Sequence, residues 1–262
     1  MQFNLIPEVF TEMYKDLFSS SFKNIGKALG TGTETLNTIL LPLSYYNEKR
    51  RLIYATNIKR LQENLEKITE EKVVEIPAEI ASPILDRFSY VSNDHLAELF
   101  HNLLINASSQ DTAHIAHPGF ISIIDRLAPD EAKILLHMKN LNCIPAISYD
   151  YLSNEVGRLV LNNITAIETV LKLTFPQNSN LYFENLTSLG ILKILYDSNR
   201  SGSYTDKFKM IEMHISDEIR RFEEALSKEE SDAVYRNRNE LYYDITDFGK
   251  MFINACLHIN VK

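Results

Sequence analysis

Several patterns that would announce chemistry or location are missing from this 262-residue chain. Its two cysteines, Cys143 and Cys256, form no CxxC pair and sit among apolar residues, which reads as two reduced, buried thiols in a cytoplasmic protein. No stretch reaches the ~18 uninterrupted apolar residues that a spanning helix needs. In the most apolar N-terminal run, Lys27 and Glu34 interrupt. The opening MQFNLIPEVFTEMYKD lacks a basic segment followed by a continuous apolar one, so no secretory signal is expected. Positive charge is also short: a formal net charge of −8 argues against broad nonspecific nucleic-acid binding, which depends on neutralising phosphates. There is no GxSxG elbow, no reactive-cysteine motif and no GxxxxGK[ST] loop. The glycines from Gly26 to Gly32 lack the preceding strand and spacing of a dinucleotide site. The expectation is a protein that is not an enzyme and carries no cofactor.

What is present is helical periodicity, with 45% hydrophobic residues to build a core. Residues 7 to about 43 read as helix with an unusual glycine pattern, in which Gly26 and Gly30 form a GxxxG spacing suited to close packing or a kink, and Pro42 ends the element. From Ser44 to about Lys72 a long amphipathic helix is expected, with Tyr54, Ile58, Leu61, Leu65 and Ile68 at coiled-coil-like spacing. Lys49, Arg50, Arg51, Lys59 and Arg60 make its first half basic, and Glu63, Glu66, Glu70 and Glu71 reverse the sign further along. Pro77 and Pro83 break regularity and place a boundary near residue 75, between an N-terminal helical arm (1–75) and a C-terminal domain (76–262). Ser92, Asn93 and Asp94 supply caps for a helix carrying Leu96, Leu99, Phe100, Leu103 and Leu104, which ends before Ser108.

The clearest local signal is the helix-break-helix unit HPGFISIIDRLAPDEAKILLHM. Phe120, Ile123, Ile124 and Leu127 form one stripe, and Ile134, Leu135, Met138 and Leu141 repeat it. Pro129 suits a first helical position, and Asp130 and Glu131 complement the positive end of the dipole. Between Tyr149 and Leu173, Leu152, Val156, Leu159, Ile164, Ile167, Val170 and Leu171 favour one or two further helices. A short helix over Leu181 to Leu189 closes at Gly190, and ILKIL reads as a strand. A second strand at Leu241 to Tyr243 runs into a helix capped by Thr246 and carrying Phe248, Phe252 and Cys256. The insertion between these strands carries Ile215, Ile219, Phe222 and Leu226 at helical spacing. The fold class expected is therefore mainly α, a multi-helix bundle with a small C-terminal winged-helix-like β-hairpin.

The His117-Pro118 segment with its Pro129-Asp130 helix start, the upstream PAEIASPILDRFSYVSNDHLAELFHNLLINA, LTSLGILKI and the closing YYDITDFGKMFINACL together make the chain similar to the Abi-alpha, or abortive infection alpha, family of bacterial proteins. Most of residues 77–262 share the likeness, least so between Ser198 and Asn239. Ala128 departs from the Ser expected before Pro129. The resemblance implies a part in defence against phage and supplies no catalytic residues.

Candidate sites are few. His95, Glu98 and His101 follow at steps of three, so each is rotated by about −60° and the two histidines stand ~120° apart, which disfavours a shared metal ion. No metal site is expected. The helix in LYFENLTSL offers no Arg or Lys to a DNA groove and carries Glu184, so a winged-helix nucleic-acid regulator is the alternative rather than the reading. A second alternative is an effector acting at a membrane interface through the glycine-containing arm followed by Lys49 to Arg51. The favoured reading is protein interaction or self-association as a homo-oligomer, with Gly26, Gly30, Lys49, Arg50, Arg51, Ile58, Leu61 and Leu65 as the interaction candidates.

Overall fold

The structure is a computed structural model and describes residues 22–30, 47–141, 143–153, 157–196, 201–227 and 235–258. The expectations for residues 1–21 and 31–46, Gly32 and Pro42 among them, lie outside the described residues. The chain is mainly helical, as expected, and divides into two compact units. Unit 1 holds residues 1–129 and 251–262, and unit 2 holds 130–250. Both sides of the expected boundary near residue 75 thus fall in unit 1.

Unit 1 contains α1 (Phe22–Ala28), α2 (Glu48–Leu65), α3 (Ala78–Arg87), α4 (Asp94–Ala107) and α5 (Gly119–Ile124), with the second half of a last helix, α9 (Asp247–Cys256). Of the expected 7–43 element only residues 22–30 are described. Helix α1 ends at Ala28 because Gly30 turns left-handed at φ +66°, where Gly is the residue without a Cβ penalty. The Ile76 amide donates to the freed Ala28 carbonyl at 2.7 Å. Gly30 is therefore a terminator and not half of a helix-packing GxxxG. A Cβ there would also collide with the Glu75 carboxylate.

Helix α2 begins where Asn47 caps the Arg50 amide at 3.0 Å, and stops at Leu65 rather than Lys72. Beyond it the chain is drawn into extended pairing with the end of α4, where the Val74 amide donates to Ser108 O and the Gln110 amide to Lys72 O. Pro83 lies inside α3 instead of breaking it, in a helix anchored by the buried Ile80, Ala81 and Ile84.

Helix α4 starts at the expected cap: Asn93 Oδ1 accepts from the His95 and Leu96 amides. It is then buried on every side from Leu99 to Ala107, so its polar residues must find internal partners. Asn102 Nδ2 donates to Cys256 O at 2.9 Å, and Asn106 Nδ2 to Ala255 O and His258 O at 2.8 and 2.7 Å. These are carbonyls at the C-terminal end of α9, which lack intrahelical donors. Two side-chain amides from α4 thus cap the last helix.

Unit 2 contains α6 (Pro129–Met138), β1 (Cys143–Ser153), β2 (Gly157–Ile164), α7 (Ser179–Ser188), β3 (Leu192–Leu195), α8 (Ser201–Ser227) and β4 (Tyr235–Ile245). The strands form one antiparallel sheet in the order β2-β1-β4-β3. The helices expected between Tyr149 and Leu173 are a β-hairpin followed by a short 3₁₀ turn at Ile167–Thr169. The reason is tertiary: β1 pairs with β4 from Cys143 opposite Asp244 to Leu152 opposite Tyr235.

The expected order of helix, strand, inserted helix, strand and helix is present as α7, β3, α8, β4 and α9, and β3 pairs with β4. With β1 on its other side, β4 is an inner strand, so the wing is one edge of a four-stranded sheet and not a free hairpin. Adjacent β4 residues face opposite sides, as the pleat requires. Tyr242 meets Phe208 and Tyr204 of α8, and Tyr243 stacks on Phe183 of α7 with ring centroids 4.5 Å apart. Ile211, Ile215 and Ile219 complete the α8 side of that core; the side chains of Phe222 and Leu226 lie outside the described residues. Gly190, at φ +74°, closes α7 as expected, and Thr246 caps α9 by accepting from the Gly249 amide at 2.8 Å. Gly249 is required there, since a Cβ would collide with the Ile191 carbonyl.

Replacing Asn106 with Ala leaves the Ala255 and His258 carbonyls short of a donor in a buried setting. We expect a loss of about 2–4 kcal/mol in urea unfolding of the intact chain. A loss under about 0.5 kcal/mol, the scale of an ordinary surface substitution, would refute the capping role.

Candidate binding pocket

The pocket of unit 2 arises where β1 outruns β2. Strand β2 ends with Ile164 opposite Ile147, so Ile144 and Pro145 have a ladder neighbour in β4 and none in β2. Proline suits that position because it has no N–H to leave unpaired. The chain leaves β2 through Thr165 and Ala166 into the 3₁₀ turn, and α8 passes opposite with Lys207, Met210 and Ile211. His137 and Leu141 from the end of α6 close the third side. The pocket is open to solvent on its remaining side and has a volume of about 220 Å³.

Its floor is buried and apolar, made by Ile144, Ala166, Ile167 and Ile211. At its rim Val170 and Met210 are 55% and 51% exposed, and Met213 one turn along α8 is exposed as well. Ala166 is left-handed, at φ 52° and ψ 27°, a conformation that costs a non-glycine residue about 1–2 kcal/mol. Thr169 Oγ1 donates to Ala166 O at 2.7 Å, and the Leu171 amide to Ile167 O at 2.8 Å, so the turn is internally held. His214 Nε2 lies 2.5 Å from Glu168 Oε1, which ties the same turn to α8.

A buried acidic pair holds the segment that follows. Asp130 and Glu131, expected only to complement the α6 dipole, are each 2% exposed. Asp130 accepts from the Thr174 and Phe175 amides at 2.8–3.0 Å, from Tyr182 OH at 3.1 Å and from Lys133 Nζ at 2.8 Å. Burial opposes its ionisation, but the Lys133 ammonium and the two amides outweigh burial and hold the carboxyl well below the usual carboxylate range. Glu131 Oε1 accepts from Asn185 Nδ2 at 2.8 Å. No local sequence signal separates this pair from an exposed one; the partners come from residues 174–185.

The sequence-derived interaction candidates do not converge. Ile58, Leu61 and Leu65 are each 1% exposed, so they face the core of unit 1 and offer no surface to a partner. Gly26 is buried, Gly30 is a helix terminator, Lys49 and Arg50 are exposed, and Arg51 is half-buried. Cys143 and Cys256 are both buried thiols; Cys143 Sγ lies 3.2 Å from Tyr204 OH, and burial pushes the Cys256 thiol well above its ordinary value. Among the described residues no three His, Cys, Asp or Glu side chains are placed to hold a metal ion, and no helix is long and apolar enough to cross a membrane.

His101 points inward, stacked on Phe88 at 4.5 Å. Asn57 Nδ2 donates to Phe88 O and Val91 O, so its Oδ1 is the acceptor facing His101 Nε2 at 3.3 Å, which assigns the imidazole proton to Nε2. Among the described residues the buried Nδ1 has no partner.

These features define a mainly helical protein of two units with an apolar pocket beside a small antiparallel sheet. The abortive infection alpha family model matches residues 49–256, and the chain belongs to that family. Membership gives it a part in abortive-infection defence. No curated protein matches the sequence. A solved structure of an uncharacterized protein from the hydrocarbon-degrading marine bacterium Alcanivorax borkumensis SK2 aligns with 57% of this chain and 96% of its own at 14% identity and a TM-score of 0.34.

Burial, and secondarily the charge of Arg60, lowers the His101 pKa to about 3. The native state then binds fewer protons than the unfolded state between that value and the ordinary one near 6.5, so stability is complete above about pH 6.5 and falls as pH drops towards 3. We expect His101→Gln to flatten that part of the curve by up to about 1.4 kcal/mol per pH unit in denaturation series between pH 7 and 4. Unchanged pH dependence would show that His101 does not titrate differently on unfolding.

Proposed function

We propose that this chain serves abortive-infection defence by binding rather than by turnover, with the pocket of unit 2 as its receptor site. The observation that carries this reading is the pocket's construction: a buried apolar floor and a rim of exposed Val170 and Met210, a pattern suited to taking up an apolar group from solution. Apolar side chains release water on contact and perform no bond chemistry. The consequence of occupancy is a protein contact, with a second copy of the chain or with another protein, in the cytoplasm. The internally held Ala166 turn favours the reading, because a preformed cavity spends little ordering entropy when it fills.

The test uses the intact chain in a bacterial host challenged with phage. Met210→Trp and Val170→Trp each place a large side chain at an exposed rim position, where the pocket can be obstructed without cutting into the core. We expect both variants to keep the wild-type thermal midpoint and to lose plaque reduction. Full protection by both variants defeats the receptor reading.

A further inference from the structure

We propose that the pocket takes a small amphipathic anion, a medium-chain carboxylate whose apolar body lies against Ile144, Ile167 and Ile211 and whose charged end meets Lys207. This deepens the reading of the pocket as a receptor site and rests on it.

The charge of the pocket differs from that of the chain. The protein has 35 acidic and 27 basic residues, yet the lining contains Lys207 and His137 and no acid. Of the acids near it, Glu212 meets Arg238 at 2.6 Å, Asp206 lies 3.7 Å from Lys209, and Glu168 meets His214 at 2.5 Å through Oε1 while its buried Oε2 has no partner among the described residues. Lys207 has no carboxylate partner among the described residues; its ammonium lies 5.2 Å from the centroid of the Tyr204 ring. A lining that carries an exposed lysine and no acid favours a ligand with an anionic end over one with a cationic end.

A dry cavity of about 150 Å³ holds benzene, so 220 Å³ corresponds by proportion to about nine carbons. Four walls contribute apolar side chains, and each methylene enclosed by them adds to affinity in proportion to its area.

The experiment is a ligand-observed NMR titration of the intact protein with octanoate, butanoate, hexadecanoate, 1-octanol and octylammonium. Octanoate is expected to bind saturably, with affinity falling about fourfold for each carbon removed towards butanoate and dropping again at hexadecanoate, which exceeds the cavity. Octylammonium is expected to bind about tenfold more weakly than octanoate. Lys207→Glu is expected to weaken octanoate about tenfold while leaving octanol within about twofold, and Met210→Trp to weaken both. Equal binding of octanoate and octylammonium overturns the anionic end. Absence of saturable octanoate binding overturns the ligand class, and octanoate binding indifferent to Met210→Trp overturns the site. The two proposals separate cleanly: a failed ligand series with loss of phage protection in the Trp variants removes the ligand class alone. Octanoate binding with protection intact in those variants removes the receptor role alone.

Discussion

The ladder between β1 and β4 is the interaction on which unit 2 depends. The two strands are separated along the chain by β2, α7, β3 and α8, so closing that loop costs entropy before any ladder hydrogen bond forms. The offset comes from aromatic burial on both faces of the pair. Tyr149 and Tyr242 are enclosed with Phe208 and Ile211 on the α8 side, and Tyr243 is enclosed with Phe183 on the α7 side. Everything of interest in the unit is a consequence of this ladder. β3 has an edge to join because β4 is held there, and the pocket has a wall because β1 continues past the end of β2.

How much of this was legible from residues alone follows the range of the interactions involved. The Asn93 cap, the Pro129 helix start, the Gly190 closure and the Thr246 cap were all readable, since each depends on backbone groups no more than a few residues away. The hairpin β1–β2 was not. Leu152, Val156 and Leu159 have spacings that a helix also satisfies, and only β4, far along the chain, decides the matter. Asp130 and Glu131 look the same in sequence whether they face water or Thr174, Phe175, Tyr182 and Asn185. The pocket had no motif to find, because its lining is drawn from four separate stretches, the end of α6, β1, the turn after β2 and α8. The family likeness, read over most of residues 77–262, overlaps the family model's match at 49–256 without its first part, and it was readable because its marks are contiguous segments.

Helix α4 shows why burial could not be read from its polarity. Its apolar positions suggest an amphipathic helix with His101, Asn102 and Asn106 on a wetter side, yet all three are buried. Each is matched to an atom that is otherwise short of a partner. Asn57 turns its carbonyl to His101, and the end of α9 turns its carbonyls to Asn102 and Asn106. An apolar helix in this place would pack against many neighbours about equally well. One that carries two amides aimed at helix-end carbonyls has a preferred partner and a preferred register, because misdocking leaves buried donors and acceptors unsatisfied. The polar residues of α4 thus select the arrangement that the apolar ones stabilise.

The Ala166 turn carries the same logic into the pocket. A left-handed alanine persists only where its surroundings over-determine it. Here a threonine hydroxyl holds the Ala166 carbonyl, Leu171 closes onto Ile167, Ile167 is itself buried, and the Glu168–His214 contact fastens the turn to α8. Removing the turn's distortion by relaxing Ala166 to a right-handed conformation would swing Ile167 away from the floor it forms with Ile144 and Ile211. The strain is therefore coupled to the presence of the cavity. The left-handed conformation at Ala166 is thus what keeps Ile167 in place beside Ile144 and Ile211, and its cost is met by the contacts that hold the turn.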